Sequence, residues 1–260
     1  MGVFTTIRQH SQLSAGVLGA VLVGSGIILY ALPRPHAYTA NVLLSIGTSI
    51  IAASILVFLS PVKENIYQKL LAMGVVDLYA SRRDIQNSQW VDWMRESRQR
   101  CSLLGIAHNN WCRDPDFEDT LLDRLRHNVE FEFFFLDPTC SLAEARGRED
   151  KPRDTIRTIK ESIVFMWDLK QRTENPTRER LKLYVYAATP SSGTLWVDDF
   201  MIVTHYLAGL ANVTSPAFRV KPVEKARGKD LYGIYQQNLM TVKNHWSTEI
   251  TEDNVAQYTR

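Results

Sequence analysis

Cysteine is scarce in this sequence: Cys101, Cys112 and Cys140 make up the whole set of 3. The number is odd and the spacing contains no CxxC, which excludes a disulfide framework and gives no zinc signature. The three thiols read as reduced. Charge of one sign is missing too, for the net charge is +2, and once Arg8 and Arg34 of the apolar N-terminal part are set aside, the remaining basic residues balance the 28 acidic ones. That balance argues against a protein that simply coats nucleic acid. A third absence says the most. No Asp, Glu, Lys or Arg occurs from Leu13 to Leu32 or from Thr39 to Leu59, and each stretch reaches the roughly 20 residues needed to cross about 30 Å of hydrocarbon.

These stretches predict two transmembrane helices. The first is too long for the apolar part of a signal peptide and a second follows almost at once, so no cleavage is expected. Residues 33–38 between them are few enough to force an antiparallel hairpin, with Tyr30 and Tyr38 near the interface. Lys63, Lys69, Arg82 and Arg83 after the second stretch outnumber Arg34 in the loop, which by the positive-inside rule places both termini and the rest of the chain in the cytoplasm. With no ionisable side chain in either span, transport within the anchor has nothing to run on. Gly16 and Ala20 in the first span, and Ser45, Ser49 and Ala53 in the second, form small-residue ridges at four-residue steps. Such ridges either hold the hairpin shut or join copies of the protein.

The expected organisation is an anchor over residues 1–61, a juxtamembrane amphipathic helix over 62–74 with Val62, Ile66, Leu70 and Met73 at helical spacing, and an α/β domain over 75–260. In that domain GVVDLY reads as an entry strand, followed by a helix from Asn87 or Ser88 to Arg100 and a strand over CSLLGIA. A helix from about Pro115 to His127 and the strand VEFEFFFL come next. Thr139 to Asp154 reads as a polar loop, Thr155 to Arg172 as a helix, and LKLYVYA as a third strong strand. Alternation of this kind predicts a mixed, mostly parallel sheet covered by helices. A hairpin around Asp198 and Asp199 and a closing helix from Tyr232 to Trp246 complete the pattern. Phe218 to Gly228 reads as a loop that is locally basic, with Arg219, Lys221, Lys225 and Arg227, and Lys229 follows; it is either a solvated loop or a contact for phosphate or nucleic acid.

Ligands of such sheets bind at the C-terminal ends of strands. That rule selects His108 and Asn109, then Asp137, then the segment after the third strand with Asp198 and His205. Each also has a structural reading, as a cap, a turn residue or a core histidine. No cofactor or metal is called for.

The segments GVVDLYASRRD, CSLLGIAHNNW, VEFEFFFLDP and LKLYVYAATPSSGTLWVDDFMIVTHYLAGLAN resemble, in their order, one half of a phospholipase D-like domain. In that family the last segment carries HxKxxxxD, with a histidine nucleophile, a phosphate-binding lysine and an orienting acid. Setting Asp198 at the acidic position puts Ser191 where the family has histidine and Gly193 where it has lysine. The resemblance therefore implies the fold without its phosphohistidine chemistry, with His205 as a substitute nucleophile or a structural residue. Because the family builds a site from two halves, the resemblance also implies pairing of two copies. The architecture is similar to two-transmembrane effectors of antiphage systems, including those paired with retron reverse transcriptases. It implies a toxin acting on the bilayer, restrained by a reverse transcriptase with its RNA–DNA product or by another protein of the same operon. An active membrane-bound phosphodiesterase and a membrane scaffold are the alternatives.

Overall fold

The computed structural model describes residues 66–149, 154–207, 214–226 and 228–259, together with scattered helical positions between 21 and 51. The chain divides into two compact units, Met1–Lys69 and Leu70–Arg260. In the first unit, most of the two expected spans lies outside the described residues. Among the described residues no helix is long and apolar enough to cross a membrane. Three hydroxyls there bond to their own helices: Ser25 donates to the Val21 carbonyl at 2.9 Å, and Thr48 and Ser49 to that of Ser45 at 3.0 and 2.8 Å. A hydroxyl bonded to the preceding turn asks nothing of its surroundings. Val21, Ile27 and Ile46 are exposed.

The second unit is an eight-stranded sheet with helices on it. Its elements are β1 (Val75–Tyr79), α1 (Asn87–Arg95), β2 (Arg100–Leu104), α2 (Asn109–Cys112), α3 (Pro115–Arg126), β3 (Glu130–Leu136), α4 (Ser141–Glu149) and α5 (Thr155–Arg172). They are followed by β4 (Leu181–Tyr186), β5 (Ser192–Val197), β6 (Phe200–His205), β7 (Ala217–Val220), α6 (Leu231–Thr241), β8 (Ser247–Glu249) and α7 (Val255–Thr259). The strand order is β1-β7-β6-β5-β2-β3-β4-β8. Strands β2, β3 and β4 run parallel, joined by helical crossovers. Every other pairing is antiparallel.

The sheet is thus mixed but mostly antiparallel, which corrects the parallel expectation. Its cause lies after β4. Only residues 187–191 separate β4 from β5, too few for a crossover of a dozen residues or more. The chain stays at one end of the sheet, so β5 must run back against β2, and the β5–β6 hairpin and β7 follow antiparallel.

Two further expectations change. The polar stretch after β3 contains α4, a helix that buries only Ala143 and Arg146 and so shows no apolar stripe. The basic loop begins as β7, whose Ala217 and Val220 are fully buried between β6 and β1. The helix read as far as Arg100 ends at Arg95, and Arg100 opens β2, whereas α5 has the expected bounds. Alternate residues of VEFEFFFL serve opposite faces: Phe131, Phe133 and Phe135 stack in one row, while Phe134 lies flat on Tyr184 with centroids 4.7 Å apart. All four phenylalanines are fully buried, each worth about 2–3 kcal/mol of apolar transfer.

Candidate functional site

Register decides what meets at the end of the sheet. Leu104 lies opposite Thr194, and Ser192 opposite His205. The C-terminal end of β2, the start of β5 and the end of β6 therefore share one edge, where a cleft of about 540 Å³ opens. His108, Asn109, Gly193 and Tyr206 line it, with arginines from four separate elements: Arg82, Arg113, Arg146 and Arg157. Asp154 and Glu161 are its acids.

Each arginine is set differently. Arg82 opens the short turn after β1, where Ser81 and Asp84 form a reciprocal cap, and its guanidinium lies over the Trp90 ring at 4.9 Å. It has no ion pair or side-chain hydrogen bond among the described residues. Burial pulls its pKa below the ordinary arginine value, with Tyr206 acting the other way. Arg146 is only 7% exposed. It donates to Glu149 at 2.8 Å and lies 5.6 Å above the Tyr206 ring, yet its buried Nε has no partner among the described residues. Arg157 is largely neutralised by Glu161 at 2.7 Å, and Asp154 is spent on capping α5 through the Arg157 amide. Arg113, at the C-terminal cap of α2, is exposed.

Tyr206 occupies the centre. Its hydroxyl would stand 2.8 Å from a Cβ built on Gly193, and 3.4 Å from one on Gly105. Gly193 makes room for the phenol, and Gly105 for the His108 imidazole, whose Cε1 would lie 2.8 Å from a Cβ built there. Burial raises the Tyr206 pKa, against the pull of Arg82 and Arg146, so the ring stays a neutral hydroxyl at ordinary pH.

His108 enters the cleft with a left-handed backbone, φ 52°. Its Nε2 is 3.0 Å from the Phe134 carbonyl oxygen and therefore carries the proton, and the ring packs edge-on against Phe135, with centroids 5.0 Å apart. Burial brings its pKa down to about 4, with Arg82 adding to the shift and the Phe134 bond opposing it. It is a neutral imidazole fixed to the fold.

Of the residues selected in the sequence, His108 and Asn109 share the cleft. Asp137 ends β3 as a turn residue, accepting from the Thr139 amide and hydroxyl at 2.8 and 2.7 Å. Asp198 lies at the opposite end of the strands, where its carboxylate accepts from the amides of Arg98, Gln99 and Arg100 at 2.7, 3.0 and 3.0 Å. His205 faces α6, 2.8 Å from the Tyr235 hydroxyl. Arg219 is a strand residue whose guanidinium lies 4.3 Å over the Phe200 ring, and Lys221 pairs with Asp199 at 3.6 Å. Lys229 is exposed, while the Lys225 side chain and Arg227 lie outside the described residues. Of the described residues of this segment, Arg219, Lys221 and Lys229 do not line the cleft.

Sequence reasoning passed over Arg82, Arg113, Arg146 and Tyr206. Arg82 stood in a segment already compared, but nothing local separates an inward arginine from a surface one. Arg146 lies on α4, whose buried face is only Ala143 and Arg146, so no apolar stripe marks it.

No protein-family model and no curated protein matches this chain. Among solved structures it is similar to TrmBL2, an archaeal chromatin protein described as showing a novel mode of DNA binding, with TM-score 0.38 and 10% identity, over 82% of this chain and 71% of that one. It is also similar to a phosphatidylserine synthase of Haemophilus influenzae Rd KW20, with TM-score 0.40 and 10% identity, over 63% of this chain and 36% of that one. Neither likeness, at that TM-score, speaks to what this chain does.

Proposed function

We propose that this chain is a membrane-anchored effector of the antiphage type, whose phospholipase D-like α/β domain holds a ligand without turning it over and thereby governs how the N-terminal helices act on the bilayer. The observation that carries the reading is the filling of the motif's lysine position: Gly193 has no side chain, and the Tyr206 hydroxyl occupies the space beside it. Ser191, at the histidine position, is exposed and lends only its backbone carbonyl, to the Tyr206 amide at 3.0 Å. His108 is the one imidazole lining the cleft among the described residues, and a ring held neutral against a carbonyl is poorly placed to attack phosphorus. Capture without chemistry is what these side chains support.

The membrane half of the reading rests on the two charge-free stretches of sequence and on hydroxyls that satisfy themselves within their helices. Paired copies would bring the hairpins together, and a reverse transcriptase with its RNA–DNA product, or another protein of the same operon, would act as the restraint. The test is expression of the full chain in bacteria, alone and with its neighbouring genes, in the presence of a membrane-impermeant dye. Dye entry on release of the restraint is expected; intact membranes under every condition would overturn the effector reading. If instead the purified chain hydrolyses a phosphodiester, and His108→Ala abolishes it, the catalytic alternative replaces this one.

A further inference from the structure

A second, smaller chamber lies beside the cleft. This cavity of about 170 Å³ shares Arg82, Trp90, Asn110 and Trp111 with the main one and adds Asn87 and Asp114 among its walls. Its volume equals that of roughly half a dozen water molecules in bulk, the scale of one planar ring.

The two chambers ask for different chemistry. In the main one, a guanidinium cannot shed its charge, and a partly desolvated charge without a counter-ion is unfavourable until an anion meets it. Arg82 lacks a counter-ion among the described residues, and the buried Arg146 Nε lacks an acceptor there. Arg113 stands at the same cleft with its charge unpaired among the described residues. The side chamber offers two indole walls, the Asn87 and Asn110 amides without side-chain hydrogen bonds among the described residues, and a carboxylate. Aromatic walls with amide edges suit a planar heterocycle that has donors and acceptors on its rim. A cationic headgroup is disfavoured, because Arg82 already covers the Trp90 face and Arg83 also lines the chamber.

We propose that the cleft binds a nucleoside phosphate, the phosphate meeting Arg82, Arg113 and Arg146 and the base entering the chamber walled by Trp90 and Trp111. This deepens the function proposed above, since it names the ligand class of the same cleft. The Tyr206 hydroxyl donates to the phosphate in place of the lysine that Gly193 cannot supply.

The test uses the full chain in detergent and isothermal titration with the four nucleoside 5′-monophosphates, inorganic phosphate, ribose 5-phosphate and phosphocholine. At least one nucleotide should bind tighter than ribose 5-phosphate by about tenfold or more, with phosphocholine weaker still. Arg113→Gln, at an exposed position that should not disturb folding, and Arg82→Gln should each weaken that nucleotide by about 10- to 100-fold, as loss of a charged hydrogen bond does. Asn87→Ala should weaken the nucleotide and leave ribose 5-phosphate unchanged, which marks the chamber. Absence of nucleotide binding, equal affinity for nucleotide and ribose 5-phosphate, or preference for phosphocholine would each overturn the proposal, and dye entry would still test the effector reading separately. Consumption of a bound nucleotide would support the ligand class and overturn the reading of capture without turnover.

Discussion

Asp198, which the resemblance sets at the acidic position of HxKxxxxD, is held by contacts with the fold. Three main-chain amides donate to its carboxylate. Its own carbonyl accepts from the Trp196 indole at 2.9 Å and the Tyr232 hydroxyl at 3.1 Å, and its backbone is left-handed at φ 42°. Replacement by alanine removes two acceptor oxygens and with them three hydrogen bonds. Arg98, Gln99 and Arg100 are exposed, so water replaces the carboxylate and the net loss is about 1 kcal/mol per bond rather than the full cost of a buried orphan. A left-handed alanine adds about 1 kcal/mol that aspartate largely avoids. The sum for Asp198→Ala is about 4 kcal/mol. Asp198→Asn keeps one acceptor oxygen and the tolerance for left-handed backbone, and should cost about half as much. For a unit of this size each kcal/mol moves the midpoint by roughly 2–4 °C, so the alanine variant should melt about 8–16 °C lower. All six tryptophans lie in the second unit, so intrinsic fluorescence during urea or thermal unfolding reports on it without interference from the N-terminal segment. An alanine variant within about 0.5 kcal/mol of the parent would refute the clamp and return Asp198 to the candidate ligand contacts.

Gly193→Ala brings a methyl against the Tyr206 hydroxyl, within 2.8 Å; the ring must shift, at a cost of about 1–3 kcal/mol in chemical denaturation, and Gly193→Ala with Tyr206→Phe should recover part of it. His108 takes up a proton near pH 6.5 in the unfolded chain and only near about 4 in the folded one, so its contribution is complete above pH 6.5 and is lost as pH falls toward 4. That loss amounts to about 2–3 kcal/mol and should disappear from the stability–pH profile of His108→Asn. Lys243→Met strands Glu132, which is bonded to Lys243 and to the Ser102 hydroxyl with a side chain only 13% exposed. Urea unfolding should show a loss of about 3 kcal/mol, and Lys243→Met with Glu132→Gln should regain much of it.

Periodicity located most elements from local sequence alone, because an apolar stripe at helical spacing and an alternating strand are properties of neighbours along the chain. α5, α3 and the strands β2, β3 and β4 were legible this way, as was the β5–β6 hairpin. α4 and β7 were not. α4 has no stripe to read, since the site it serves needs an arginine on its buried face, and β7 exists because β6 and β1 offer it partners far away in sequence. Strand direction was equally hidden: five residues after β4 read as a loop of either kind until the chain's return along β2 fixed the hand of every later pairing.

The sequence by itself determined the two charge-free N-terminal stretches, the α/β class of the remaining chain and the placing of Ser191 and Gly193 seven and five residues before Asp198, for each depends on which residues occur and at what spacing. Only tertiary structure decided that Asp198 and His205 leave the cleft, that Tyr206 takes the room Gly193 yields, and that arginines from four distant segments converge beside His108. Convergence of that kind leaves no periodic trace, because each arginine is placed by the packing of its own element against the sheet and meets the others only through the fold.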